Sequence, residues 1–168
     1  RIAVIYRGRA IPLVWKTIEH NSSTVGLEDY QDLLDAAAKL VPQEANVNFM
    51  ADRGFADTKL MEYLSQKLNW HWRIRIKSSF YVHRRSRRRI KSSSLKLKRG
   101  QAQFWHNVYI TEKQFGPVHV ALAKPHGTKE SWFIVSDQPT DLTTFDDYGL
   151  RFDIEENFLD DKSGGFQL

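Results

Sequence analysis

The sequence of 168 residues predicts a mixed α/β domain in which helices cover the faces of a sheet. Apolar residues recur at helical spacing from about Glu28 to Leu40 and again from Leu60 to Leu68. Residues 70–77 instead alternate apolar with basic side chains, as a half-buried strand does. Because helical and strand periods alternate along the chain, the fold class is expected to be α/β with a mixed sheet.

Local signals predict each element in turn. Arg7-Gly8-Arg9-Ala10 favours a turn between two strands, and Pro42 ends the first helix. The expected elements are strands at 2–6 and 11–17, a helix at 28–40, a strand at 47–51, a helix at 60–68, a strand at 70–77, strands at 104–111, 118–123 and 131–136, and a last helix from about 143 to 162 that Thr143 or Thr144 could cap. Residues 78–100 are expected to form a basic hairpin or a partly disordered loop.

Composition excludes several kinds of chemistry. The chain has no cysteine, which rules out disulfides, thiolate metal sites and a cysteine nucleophile. It has no apolar run of membrane-spanning length and no signal-peptide pattern at its start, so a soluble cytoplasmic protein is expected. The histidines have no recognisable ligand spacing. Carboxylates and basic side chains are therefore the candidates for chemistry.

The net charge of +5 is unevenly distributed. From Tyr63 to Thr111 there is no Asp or Glu, and 13 of the 25 Lys and Arg residues lie there. Strand alternation puts Arg73 and Arg75 together on one basic face. These two, and the arginines of the basic run, are predicted to bind DNA phosphates: Arg84, Arg85, Arg87, Arg88 and Arg89. The alternative for the basic run is a solvated, flexible loop.

Two acidic positions are candidates for catalysis. Asp52 follows a short predicted strand, although an Asp before Arg-Gly also suits a turn or a helix cap. In the last predicted helix, four polar residues fall within an arc of about 60° at 100° per residue. They are Tyr148, Arg151, Glu155 and Lys162. The alternative for this stripe is an exposed ion pair between Arg151 and Glu155.

The spacing of Tyr148, Arg151, Glu155 and Lys162 resembles the Y-R-E-K signature of the IS4 family of bacterial transposases. Residues 6–15, 51–57 and 151–166 also look like stretches of such transposases, in the expected order. The resemblance implies a ribonuclease H-like fold with a basic, β-rich insertion at 78–136, before the last helix. It makes Asp52 the second and Glu155 the third carboxylate of an Asp-Asp-Glu triad. Glu156 misses the family spacing.

The first Asp of such a triad is expected upstream of Arg1. On this interpretation residues 1–168 are a single catalytic-core fragment, truncated at both ends and inactive by itself. The resemblance further implies two Mg2+ (or Mn2+) ions, cleavage of double-stranded DNA at transposon ends, strand transfer to target DNA and a homodimer on DNA. Tyr148, Arg151 and Lys162 would hold phosphates.

The same resemblance implies that a tryptophan of the insertion can stack on a flipped base, for which Trp105 and Trp132 are candidates; alternatively, both belong to the core. Two other functions remain open from the sequence. Another ribonuclease H-like nuclease or integrase would share the carboxylates, but not their Tyr, Arg and Lys companions. A non-catalytic DNA-binding remnant would keep the basic surface without cutting DNA.

Overall fold

The computed structural model describes residues 1–17, 26–77, 80–84, 89–126 and 130–152. The chain divides into two compact units. The first unit contains residues 1–45 together with the chain from Asp146 onward, and the second contains Asn46–Phe145. Each unit has its own secondary structure.

The first unit opens with a hairpin. Strand β1 (Ile2–Tyr6) pairs antiparallel with strand β2 (Arg9–Val14). Arg7 and Gly8 form the two-residue loop, with φ angles of 50° and 72°. Two positive φ angles are typical of a type I′ turn, whose twist matches that of the two strands of a hairpin. The predicted hairpin is confirmed, with a second strand that begins and ends earlier than the sequence indicated.

Helix α1 (Leu27–Leu40) contacts both strands of the hairpin. Its buried residues, Leu27, Tyr30, Leu34 and Ala37, recur at helical spacing and make the apolar face of this unit. The backbone N–H of Gly26 donates to the carboxylate of Asp29, which satisfies a group at the helix start. The predicted helix is confirmed, and it ends before Pro42 as expected.

The second unit is built on a seven-stranded sheet with the order β3-β4-β9-β8-β7-β5-β6. Strands β3 and β4 are parallel and the other neighbours are antiparallel, so the sheet is mixed. Its strands are β3 (Asn48–Ala51), β4 (His71–Arg75), β5 (Tyr81–His83), β6 (Arg89–Lys91), β7 (Ala102–Ile110), β8 (Phe115–Ala123) and β9 (Trp132–Ser136). Strands β5 to β9 lie where a β-rich insertion before the last helix was predicted. The predicted α/β fold class is confirmed.

Helix α2 (Thr58–Gln66) packs on one face of this sheet. Leu60, Met61 and Leu64 are fully buried, and the indole N–H of Trp72 in β4 donates to the hydroxyl of Ser65 at 2.9 Å. At about 25 cal/mol per Å2 of apolar surface, each of these buried aliphatic side chains contributes about 2 kcal/mol. The helix forms because its apolar stripe has this sheet face to cover.

The alternation predicted for residues 70–77 is confirmed. Trp70, Trp72, Ile74 and Ile76 are buried, whereas His71, Arg73 and Arg75 are half-buried and Lys77 is exposed. Regular strand geometry covers only His71–Arg75, the middle of the predicted range. One face of β4 therefore belongs to the core, and the other presents polar groups.

The basic run between β4 and β7 contains a hairpin. Strands β5 and β6 pair antiparallel, and β5 also pairs with β7. Of the two alternatives predicted for residues 78–100, the structure therefore has the hairpin, with its strands at Tyr81–His83 and Arg89–Lys91. Arg85, Arg87 and Arg88 lie outside the described residues.

The last described helix, α3 (Thr143–Gly149), continues into a 3-10 turn at Leu150–Phe152. At its start, the carboxylate of Asp141 accepts the backbone N–H of Thr143 at 2.9 Å, and the hydroxyl oxygen of Thr144 accepts the backbone N–H of Asp141 at 3.0 Å. Thr144, one of the two expected capping residues, thus shares the cap with Asp141. Residues beyond 152, including Glu155, Glu156 and Lys162, lie outside the described residues. In the described part of the chain, no helix is long and apolar enough to cross a membrane.

Candidate active site

Asp52 lies directly at the carboxyl end of β3, where the sequence predicted it. Its backbone is still extended, with φ −79° and ψ 171°, and a 3-10 turn follows at Arg53–Phe55. The backbone N–H of Phe55 donates to the carbonyl of Asp52 at 2.9 Å and closes that turn. In sheets that contain parallel strands, the carboxyl ends of strands are where ligands bind.

The side chain of Asp52 does not cap the turn that it precedes. It makes no capping hydrogen bond, and its Oδ1 is buried without a hydrogen-bond partner among the described residues. Asp57, five positions later, behaves differently, because its Oδ1 accepts the backbone N–H of Lys59 at 3.0 Å. A buried oxygen without a partner costs free energy, so this one requires an explanation other than local capping.

Two arginines flank Asp52. Ala51 pairs with Ile74 in the parallel β3–β4 register, so the position beside Asp52 on β4 is that of Arg75. Arg75 does not pair with Asp52, since its Nη2 donates to Oε2 of Glu130 at 2.9 Å. Arg53 Nη1 lies 3.4 Å from the same oxygen. Both neighbouring guanidinium groups are therefore directed to Glu130, and the carboxylate of Asp52 has no ion pair with either.

Arg73 lies two residues before Arg75 on the same face of β4 and is half-buried. Its charge reaches Asp141, whose pKa is held below the ordinary value mainly by the hydrogen bond from the Thr143 hydroxyl. The backbone N–H groups of Thr143 and Thr144 and the charge of Arg73 act in the same direction. Arg73 thus lies among polar groups on this face.

Only part of the predicted four-residue stripe is described. Tyr148 is fully buried in α3, and the guanidinium of Arg151 lies 5.6 Å from the centre of its ring. The offset of three residues therefore puts these two side chains together, as helical spacing predicts. The roles of Tyr148 and Arg151 in phosphate binding stay predictions, as do those of Glu155 and Lys162.

The described arginines of the basic hairpin are ordered by aromatic rings. Arg84 lies 5.1 Å from the centre of the Trp105 ring. Arg89 lies 3.5 Å from that of Tyr81, and its Nη2 donates to Glu112 at 2.7 Å. A cation stacked on a ring retains donors for an anion, but Arg89 already has a carboxylate partner. Arg84 is the more accessible of the two for a phosphate.

The two candidate tryptophans differ in exposure. Trp105 is 8% exposed and belongs to the core of the sheet, with Arg84 over its ring. Trp132, at the start of β9, is half-buried, and Arg75 lies 6.0 Å from its ring centre. Trp132 is thus the better placed of the two for a base near Asp52, and base stacking stays a prediction for both.

Donor chemistry at Asp52 suits a hard divalent cation. Carboxylate oxygens are the ligands that Mg2+ prefers, and the buried Oδ1 of Asp52 offers one that accepts no hydrogen bond from the described residues. Within the described ranges, no three His, Cys, Asp or Glu residues are grouped so as to hold a metal ion. The donor chemistry of Asp52 thus fits a metal ligand, and metal binding by Asp52 stays a prediction.

Sequence reasoning missed Arg53 and Glu130. Arg53 directly follows Asp52 in the sequence. Only the pairing of β3 with β4 shows that Arg75 also lies next to Asp52. Glu130 precedes β9, which pairs with β4 although more than 50 residues separate them in sequence. The sequence contained a signal for Glu130, because it is an isolated acidic residue just before an apolar strand. Its partners could not be predicted, because they depend on the long-range pairing of β9 with β4.

Sequence reasoning also missed a histidine pair. His106 and Asn107 both lie opposite His119 in the β7–β8 register, and Asn107 has a positive φ of 52°, as in a β-bulge. The Nδ1 atoms of the two histidines are 3.1 Å apart. Burial, and then the charge of His106, lower the pKa of His119, while Asp137 opposes this shift.

Comparison with known protein families agrees with this geometry. The family model described as "Transposase DDE domain" matches residues 13–167, which is almost the whole chain. The chain therefore belongs to the transposase DDE domain family, a class of enzymes that act on DNA and generally use divalent metal ions. No curated protein and no solved structure matches the chain.

Proposed function

We propose that this chain belongs to the catalytic core of an IS4-type transposase, which cuts DNA at transposon ends and joins the freed 3′ ends to target DNA. The observation that carries this proposal is the Asp52 carboxylate. It stands at the end of β3 with a buried oxygen that accepts no hydrogen bond from the described residues. A transposase needs a carboxylate of this kind for a metal ion at the scissile phosphate.

In this proposal, Asp52 and Glu155 are two carboxylates of the triad, and they hold Mg2+ or Mn2+, two ions in the complete site. Bound there, the ions would activate the attacking hydroxyl and stabilise the leaving oxygen of the phosphodiester. Support comes from the family membership, from the Y-R-E-K spacing and from the oxygen chemistry of Asp52.

The phosphate ligands are proposed from charge and position. Arg73 and Arg75 share the polar face of β4, and Tyr148, Arg151 and Lys162 carry the family spacing. Arg offers a planar fork for phosphate oxygens, while Lys offers a point charge. The arginines of the basic hairpin would extend the contact along double-stranded DNA. We further propose a homodimer that acts on DNA in the cytoplasm.

The test is cleavage of DNA that carries the element's own ends by the purified full-length protein. Cleavage is expected with Mg2+ or Mn2+ and not with EDTA. Glu155→Ala should abolish cutting and leave DNA binding intact, whereas the neighbouring control Glu156→Ala should keep cutting. Retained cleavage in Glu155→Ala would contradict the assignment. Binding without any cleavage by the wild type would favour the non-catalytic remnant instead.

A further inference from the structure

Arg53 and Arg75 converge on one oxygen. Arg53 begins the 3-10 turn after β3, and Arg75 ends the neighbouring strand β4. Their guanidinium groups lie 3.4 Å and 2.9 Å from Oε2 of Glu130. Two guanidinium groups from different elements thus face a single anionic oxygen, an arrangement that also suits a phosphate.

The cations of this cluster are better fixed than the anion. The Arg75 side chain is only 13% exposed and lies against Trp132, whereas Glu130 is 60% exposed. Arg53 is 51% exposed, and the turn that begins at this residue fixes its backbone. The Glu130 end of both ion pairs is exposed to solvent, so another anion can reach the arginines and compete with Glu130 for them. The cluster is therefore a preformed pair of donors with an exchangeable occupant.

The cluster lies beside the candidate catalytic carboxylate. Arg53 follows Asp52 directly, and Arg75 occupies the next position across the β3–β4 pair. Adjacent strands are about 4.8 Å apart, so the backbones that carry these arginines are neighbours of the strand end that carries Asp52. A DNA strand whose scissile phosphate reaches Asp52 must bring its own or a neighbouring phosphate to this cluster.

We propose that Arg53 and Arg75 form a binding site for a DNA backbone phosphate next to the scissile position, and that Glu130 occupies this site when DNA is absent. The inference rests on the function proposed above. Glu130 then competes with DNA, and its carboxylate moves into solvent when a phosphate replaces it. A phosphate oxygen is charged and can accept hydrogen bonds from both guanidinium groups. The exchange of Glu130 for phosphate therefore preserves the hydrogen bonds of the arginines.

The test compares variants with opposite expected effects. Duplex DNA carrying the element's end is titrated by fluorescence anisotropy in EDTA, so that binding is measured without cleavage. Glu130→Ala should bind about threefold to fivefold more tightly than the wild type, because a weak competitor is removed. Arg53→Ala should bind more weakly and lower the slope of log K against log salt by about 0.9, the loss of one phosphate contact.

Controls separate this effect from a general change in charge. Glu62→Ala removes the same charge from an exposed position on α2 and should alter binding far less than Glu130→Ala. In a protein that already carries Arg53→Ala, the increase in DNA affinity caused by Glu130→Ala should be smaller, because the two residues act on one site. Far-ultraviolet circular dichroism and thermal melting confirm that each variant is folded.

Two results would overturn the inference: Glu130→Ala binding no more tightly than Glu62→Ala, or the full gain surviving in Arg53→Ala. Failure of the proposed function has a different signature, because the wild type would then not cut end DNA, whether or not it binds it. A wild type that binds and cuts, together with an unchanged Glu130→Ala, refutes only the phosphate site.

Discussion

Replacing Asp52 with alanine is expected to stabilise the metal-free protein. The buried Oδ1 of Asp52 has no hydrogen-bond partner among the described residues, and it closes no cap on the following turn. An unsatisfied buried oxygen costs about 1–3 kcal/mol, and alanine removes it while keeping the β-carbon. Part of this gain is offset by lost contacts of the carboxylate, so the net increase in the free energy of unfolding should be about 1 kcal/mol.

The measurement is thermal and urea unfolding in EDTA, repeated in Mg2+ or Mn2+. For a protein of this size, 1 kcal/mol raises the melting temperature by about 2–4 °C. Metal binding to the folded state alone stabilises the wild type by about 1.4 kcal/mol when the free ion is at ten times Kd. Asp52→Ala should gain much less from the ions. The order of stability should therefore reverse between EDTA and metal.

Asp57→Ala is the matched control, since Asp57 caps α2 through a hydrogen bond to Lys59. Loss of such a cap costs about 1 kcal/mol in EDTA and in metal alike. If Asp52→Ala is destabilised in EDTA as much as Asp57→Ala is, Asp52 serves as a structural cap. That outcome would refute the reasoning that links its unpaired oxygen to metal binding.

Three further predictions concern DNA binding, pH and helix capping. Replacing the arginines of the basic run with alanine should weaken DNA binding and flatten the dependence of log K on log salt. An unchanged slope would mean that this run is a solvated surface that does not contact DNA. The residues changed are Arg84, Arg85, Arg87, Arg88 and Arg89. The lowered pKa of His119 means that its stabilising effect is complete above its ordinary pKa of 6.5 and is lost as the pH falls through the lower folded value. Urea unfolding at pH 7.5 and at pH 5 should therefore show a smaller loss of stability for His119→Gln than for the wild type, and an equal loss would contradict this. Asp141→Ala should lower the free energy of unfolding in urea melts, because its hydrogen bonds at the start of α3 are removed, and a neutral effect would show that this cap is dispensable.

Elements governed by local pattern were predictable from the sequence. Helix α1 and the alternation around Trp72 follow from side-chain period alone, and the Arg7-Gly8 hairpin follows from turn chemistry. The position of Asp52 at a strand end was predictable for the same reason. These features depend on residues close in sequence, whose geometry is set by the period of the helix or strand.

Features that depend on distant pairing were not predictable. Strand β9 enters the sheet between β4 and β8, and this brings Glu130 to Arg53 and Arg75. The part of Asp141 in the cap of α3 was also missed, because Asp141, Thr143 and Thr144 all have oxygens able to accept an N–H, and only the backbone path pairs Asp141 with Thr143 and Thr144. No local pattern specifies which of several suitable groups meets its partner.

The most direct test of the account is single-turnover cleavage of end DNA by full-length protein carrying Asp52→Asn. Asparagine keeps the shape of the side chain and removes the charge that a metal ligand needs. Loss of one ligand should remove about 4 kcal/mol of transition-state stabilisation, which lowers the cleavage rate by about a thousandfold. We expect this loss with the Kd for DNA unchanged; cleavage within tenfold of the wild type would contradict the assignment of Asp52 as a metal ligand.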